Sequence, residues 1–168
     1  NPFKFTWFYQ NTEPNYPAIN VGTAIYDMKC DLRYNLYFAY YPEYGNGMWN
    51  TMVRFGSDGY CHPVFHAGPG MTFTAPYTGT VEFSFNYACP AGKTALYIAN
   101  NKVPGFVLNE TQTAWLYNNY DEKIDSTTDT SKVYTFTAEV QKGDKVYFIV
   151  DDCDDMSNDS TLFKMLKA

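Results

Sequence analysis

The feature that most constrains this chain is a recurring alternation of apolar and polar residues with a period of two, broken every several residues by Pro, Gly or Asn. Phe3, Phe5, Trp7 and Tyr9 alternate with Lys4, Thr6 and Gln10. Val81, Phe83, Phe85 and Tyr87 do the same, as do Tyr134, Phe136, Ala138 and Val140 against Thr135, Thr137 and Glu139. Successive side chains of a strand point to opposite faces, so each set marks a strand with one buried face. A further strand is expected around Leu32, Leu36, Phe38 and Tyr40, closed by Pro42 and Gly45-Asn46-Gly47. Others are expected at Met71–Thr74, Ala95–Ala99 and Leu162–Leu166. The unbroken apolar run Val146–Val150 suits a central strand covered on both sides. Residues 118–131, rich in Asp, Asn and Thr, read as a surface loop.

No segment sustains a helical period behind a capped start, and many short strands with frequent turns mean a sandwich or barrel. The expected fold is all-β, a β-sandwich of jelly-roll type built from two antiparallel sheets. At 168 residues one domain, 1–168, suffices to bury its own core. The opening Asn1-Pro2-Phe3 has neither an initiator Met nor a signal pattern. That reads as a module excised from a larger secreted or cell-surface protein.

Charge narrows the partners. Twelve basic and eighteen acidic residues give a net charge of −6, which repels a phosphate backbone or an anionic membrane. No window approaches the ~20 apolar residues of a spanning helix. Neither nucleic acid nor membrane insertion is expected, and the module reads as a monomer. Four widely spaced cysteines, Cys30, Cys61, Cys89 and Cys153, contain no Cys-x-x-Cys pair. They allow one or two disulfides in a secreted chain, with free buried thiols as the alternative.

Phe73-Thr74-Ala75-Pro76-Tyr77-Thr78-Gly79-Thr80, then Gln141-Lys142-Gly143-Asp144-Lys145-Val146-Tyr147-Phe148-Ile149-Val150 and Asn158-Asp159-Ser160-Thr161, resemble bacterial extracellular β-jelly-roll modules. Trp7-Phe8-Tyr9-Gln10 and His62-Pro63 extend the likeness over most of the chain. The resemblance implies a sandwich of the carbohydrate-binding-module type, attached to a polysaccharide-degrading enzyme or a surface-anchoring domain. Because such a fold hosts many functions, the ligand has to come from the site.

Aromatic residues make up 19% of the chain; they suit pleated, half-buried surfaces, and flat rings also serve as contact surfaces. Sugar receptors pair such rings with short polar groups: stacking removes the apolar sugar face from water, and amides or carboxylates satisfy the hydroxyls. Two segments have this makeup. Residues 40–50 carry Tyr41, Tyr44 and Trp49, and residues 113–121 carry Trp115, Tyr117, Asn118, Asn119 and Tyr120. These eight are the expected ligand contacts, with Trp115, Tyr117 and Tyr120 as the stacking platform, whereas Trp7 belongs to a core stripe. The expected function is non-catalytic binding of a plant cell-wall polysaccharide, a β-glucan or related hemicellulose, in a setting of cell-wall degradation.

Alternatives from other classes are an adhesion or scaffold domain using the same rings against a protein, and a small jelly-roll glycoside hydrolase. The hydrolase would need Glu82 and Glu139 to face one another across a cleft. No cofactor is expected. Asp151, Asp152, Asp154, Asp155, Asn158 and Asp159 raise the option of a calcium ion, although their spacing is not that of an EF-hand. Cys61, His62 and His66 read as structural, because Pro63 breaks the helix a two-histidine zinc site would use.

Overall fold

In the computed structural model the backbone is described at residues 4–11, 25–27, 29–31, 36–41, 46–54, 60–61, 67–108, 115–151, 153 and 160–168. Side chains are described at 60–61, 69–105, 117–151, 153 and 160–168. The strands are β1 (Lys4–Asn11), β2 (Ile25–Asp27), β3 (Lys29–Asp31), β4 (Leu36–Tyr41), β5 (Asn46–Arg54), β6 (Tyr60–Cys61), β7 (Ala67–Thr74) and β8 (Gly79–Ala88). They continue with β9 (Ala95–Asn100), β10 (Gly105–Leu108), β11 (Trp115–Asn118), β12 (Glu122–Asp125), β13 (Val133–Val140), β14 (Lys145–Asp151) and β15 (Thr161–Lys167). Among the described residues there is no helix, and so none long and apolar enough to cross a membrane.

Two antiparallel sheets make an all-β sandwich. One has the order β12-β9-β14-β7-β1-β2, the other β13-β8-β15-β6-β5-β4-β3, and β10 and β11 form a separate hairpin. From β7 the chain passes to β8 in the second sheet, back to β9 and β12 in the first, then to β13, β14 and β15 in alternating sheets. Each crossing turns one alternating stripe inward. Phe83 and Phe85 of β8 and Phe163 of β15 meet Phe73 of β7 and Phe148 of β14 between the layers. Phe148 is the hub: its ring centroid lies 5.1 Å from Phe83, 5.9 Å from Phe85 and 5.7 Å from Phe163. The first two are edge-on and the third is tilted, and aromatic pairs of this kind add about 0.5–1.5 kcal/mol each to the burial of the rings.

The expected strands are present among the described residues, Phe3 and Leu32 lying outside them, and Val146–Val150 is wholly buried in β14 between β9 and β7. One expectation is corrected. Within 118–131, Glu122–Asp125 is not loop but β12, the edge of the first sheet, paired with β9 from Glu122↔Ile98 to Asp125↔Ala95. Only Ile124 reaches the core, so an edge strand with three exposed polar side chains reads as loop. Asn46 and Gly47, expected in a turn, begin β5, where the pairing with β4 closes at Tyr41↔Asn46.

Register also bears on the thiols. Cys61 stands opposite Thr161, and Leu162 opposite Ala88, so Cys89 follows on the far side of Thr161. Two strand spacings, about 10 Å, exceed the roughly 7 Å between Cα atoms that a disulfide bridges. No disulfide joins Cys61, Cys89 and Cys153 to one another, and Cys61 carries a free buried thiol. Burial, with Cys89 nearby, pushes that thiol up to about 12. The Cys30 side chain lies outside the described residues. At the same end of the sandwich, buried Thr94 Oγ1 meets Tyr87 Oη at 2.7 Å and Thr161 Oγ1 at 3.3 Å, tying the two sheets together by hydroxyls.

Candidate functional site

The outer face of the first sheet carries a second apolar cluster, away from the core: Ala95 and Tyr97 of β9, Tyr147 and Ile149 of β14, and Tyr117 of β11. The β10–β11 hairpin supplies the cover. Tyr117 packs on Tyr97 with ring centroids 4.7 Å apart, and Tyr120, just past the hairpin, meets Tyr97 edge-on at 4.9 Å. Burial raises the Tyr97 phenol above its ordinary range, Asp151 adding to the effect, and burial likewise raises Tyr147. Both phenols therefore stay protonated at neutral pH, and the cluster is uncharged.

A knitted turn forms its rim. Asp121 accepts hydrogen bonds from the Asn100 N–H at 2.6 Å and from Lys102 Nζ at 2.7 Å, while its own N–H donates to the Ile98 carbonyl at 2.8 Å. Partial desolvation would raise the Asp121 carboxyl, but the Lys102 hydrogen bond, the Asn100 N–H and the Lys102 charge outweigh it and hold the group below its usual range. Asn119 adopts φ 57° and donates from Nδ2 to the Val103 carbonyl at 3.2 Å. Lys123 lies 3.6 Å from Asp125 and 5.9 Å from the Tyr97 ring centroid. Gly105, opposite Asn118 in the hairpin, has no side chain because a Cβ there would fall 2.5 Å from Asn118 Oδ1.

The expected contacts fare differently. Tyr120 is 37% exposed. Asn118 and Asn119 are exposed, though one amide donor of Asn119 is committed to its own turn. Tyr117, expected to stack on a ligand, is only 5% exposed. Its ring packs on Tyr97 within the buried cluster rather than offering a surface. Trp115, Tyr41 and Trp49 lie in β11, β4 and β5, and their side chains, like all of Tyr44, fall outside the described residues. Trp49 does sit where the β4–β5 register shifts between Phe38↔Met52 and Ala39↔Met48.

Tyr77 is not among the expected contacts. It is 64% exposed on the corner between β7 and β8. The Pro76 and Gly79 that flank it were the available signal.

No family model matches the chain, and no curated protein matches it.

Glu82 and Glu139 stand on the outer, solvent-facing side of β8 and β13, where Glu139 pairs with Thr80 and Glu82 with Thr137. They are diagonal neighbours on one open face, and Glu139 accepts a 2.6 Å hydrogen bond from Thr80 Oγ1. The cleft the hydrolase reading requires is not formed by this pair. Of the acidic run only Asp151 is among the residues with described side chains. Among the described residues no three His, Cys, Asp or Glu side chains gather as a metal site. Asp152, Asp154, Asp155, Asn158 and Asp159, and His62 and His66, lie outside them.

Proposed function

We propose that this chain is a non-catalytic carbohydrate-binding module of jelly-roll type that takes a plant cell-wall polysaccharide, a β-glucan or related hemicellulose, by stacking on Tyr120. The strand orders β13-β8-β15-β6 and β12-β9-β14-β7, with the chain alternating between them, support the jelly-roll assignment. The observation that carries the ligand is the treatment of the rings. Most of the described aromatic side chains are buried or half-buried, and Tyr120 keeps about a third of its surface accessible, braced edge-on by Tyr97 and bordered by exposed amides. A rigidly backed ring loses little freedom on binding, and Asn118 beside it offers donors and an acceptor to sugar hydroxyls.

The rim also bears on ligand charge. Lys102 is paired with Asp121 and Lys123 with Asp125, and exposed Glu122 leaves an acidic excess, so a neutral polymer fits better than an anionic one. Such a module belongs to a secreted or cell-surface protein, holding an attached domain on its substrate.

Affinity electrophoresis through gels containing glucans tests this. Tyr120→Ala should weaken retention about tenfold, the equivalent of about 1.4 kcal/mol of stacking. Tyr120→Phe should keep most of it, and raising the salt should change little. Full retention of Tyr120→Ala on every glucan that the parent binds would remove Tyr120 from the site, and a parent retained by no glycan would end the reading.

A further inference from the structure

A lone exposed ring is ordinary on a protein surface. A ring held out on a corner that spends its hydrogen bonds keeping itself rigid is less so, and Tyr77 is that case. On one side of it the Ala75 N–H donates to the Asp144 carbonyl at 2.8 Å, and the Gly143 N–H returns to the Ala75 carbonyl at 2.8 Å. On the other side Thr78 Oγ1 accepts from the Lys142 N–H at 3.0 Å. The buttressing turn closes on itself, with the Gln141 N–H donating to Asp144 Oδ2 at 2.9 Å.

The two glycines of the corner and its buttressing turn leave open space above their backbone. A Cβ placed on Gly79 or on Gly143 would meet nothing within 4 Å. The exposed side chains of Gln141 and Lys142 stand beside this shelf. An exposed ring with exposed polar side chains at its margin is what the Tyr120 site offers as well.

Both sites belong to one end of the sandwich. The corner leaves β7 at Thr74, which pairs with Lys145; Val146 pairs with Asn100, and the Asn100 N–H is held by Asp121 of the Tyr120 turn. Tyr120 packs on Tyr97 of β9, two strand spacings or about 10 Å from β7, and Tyr97 pairs with Ile149, about 13 Å along β14 from Lys145. One sugar ring cannot reach both.

We propose that the Pro76–Gly79 corner is a second glycan contact centred on Tyr77, so that the module engages long polysaccharide through two separated platforms. This rests on the glycan reading given above. Two linked contacts convert the second binding event into a local one, and polymer then binds more tightly than short oligosaccharide without any change at the first site.

The test compares Tyr77→Ala, Tyr77→Phe and the parent for retention on soluble β-glucan polymer, and by calorimetry for a short oligosaccharide of the same linkage. Tyr77→Ala should lose about tenfold in polymer retention, keep the oligosaccharide affinity of the parent, and unfold at the parent's temperature. Tyr77→Phe should restore polymer retention. If Tyr77→Ala holds polymer as the parent does, the second contact is refuted and the Tyr120 site stands. If polymer and oligosaccharide affinities fall together, Tyr77 belongs to a single site and the two-platform proposal fails. A parent that binds neither removes the glycan reading itself, and this proposal with it.

Discussion

Removing the Asp121 carboxylate is the most informative single change, because one side chain fixes the turn that presents Tyr120. Asp121→Ala deletes the 2.7 Å ion pair to Lys102 and the 2.6 Å hydrogen bond from the Asn100 N–H. Both charged side chains are about one third exposed, so solvent screens the pair and it contributes only about 0.5–1 kcal/mol. The backbone hydrogen bond adds about 1–1.5 kcal/mol, since its loss leaves an N–H at a strand end without its acceptor. Together they come to about 2 kcal/mol, which in a domain of this size lowers the melting temperature by about 4–8 °C.

Asp121→Asn keeps an acceptor for Asn100 and loses only the charge, so it should fall by about a third of that. The native carboxyl sits below its unfolded value of 3.8, so its contribution is present above that pH and disappears as pH drops through the native value. The gap between parent and Asp121→Ala should therefore narrow by about a third under acid conditions, because the protonated carboxyl can still accept from the Asn100 N–H. Thermal unfolding followed by far-ultraviolet circular dichroism, at neutral and acid pH, measures this. Melting of Asp121→Ala within about 1 °C of the parent at neutral pH would refute the role assigned to this carboxylate.

Three other outcomes follow from the packing. Phe148→Ala removes the ring on which Phe83, Phe85 and Phe163 converge, and should cost about 3–5 kcal/mol in denaturant unfolding. Gly105→Ala should displace the Asn118 amide with under about 1 kcal/mol of stability lost, since the tip of a flexible side chain can swing away. The same variant should weaken glycan retention. The Cys61 thiol, raised from 9.0 to about 12, should resist alkylation in the native protein and react on unfolding. Because the unfolded thiol ionises first, stability should decline as pH climbs from about 9 towards 12, and a Cys61→Ala variant should decline less steeply over that interval.

How much of this was legible beforehand depends on where each residue's environment comes from. The alternation at Val81–Tyr87 and Tyr134–Val140 reports a strand with one wet face, and that is what β8 and β13 are. The polar stretch Glu122–Asp125 reports only its exposure; its place beside β9 comes from long-range pairing that no local pattern records. Tyr117 and Tyr120 are three residues apart with the same chemistry. Whether a ring is buried or faces solvent was decided by the hairpin folding onto Tyr97, a contact made at a sequence separation of about twenty residues. Glu82 and Glu139 were placed on the polar side of their strands by alternation, and pairing across β8 and β13 adds only that they are neighbours.

The two ends of the sandwich tolerate change differently. Where Thr94, Tyr87 and Thr161 interlock in the interior, an insertion would have to open a sealed polar knot, and the connections there are bound to the length they have. At the opposite end the bonds that shape the Pro76–Gly79 and Asn118–Asp121 segments lie at the surface and involve few buried groups. That end can be rewritten residue by residue while the barrel of phenyl rings beneath stays as it is, which makes it the place from which new specificities on this scaffold would be drawn.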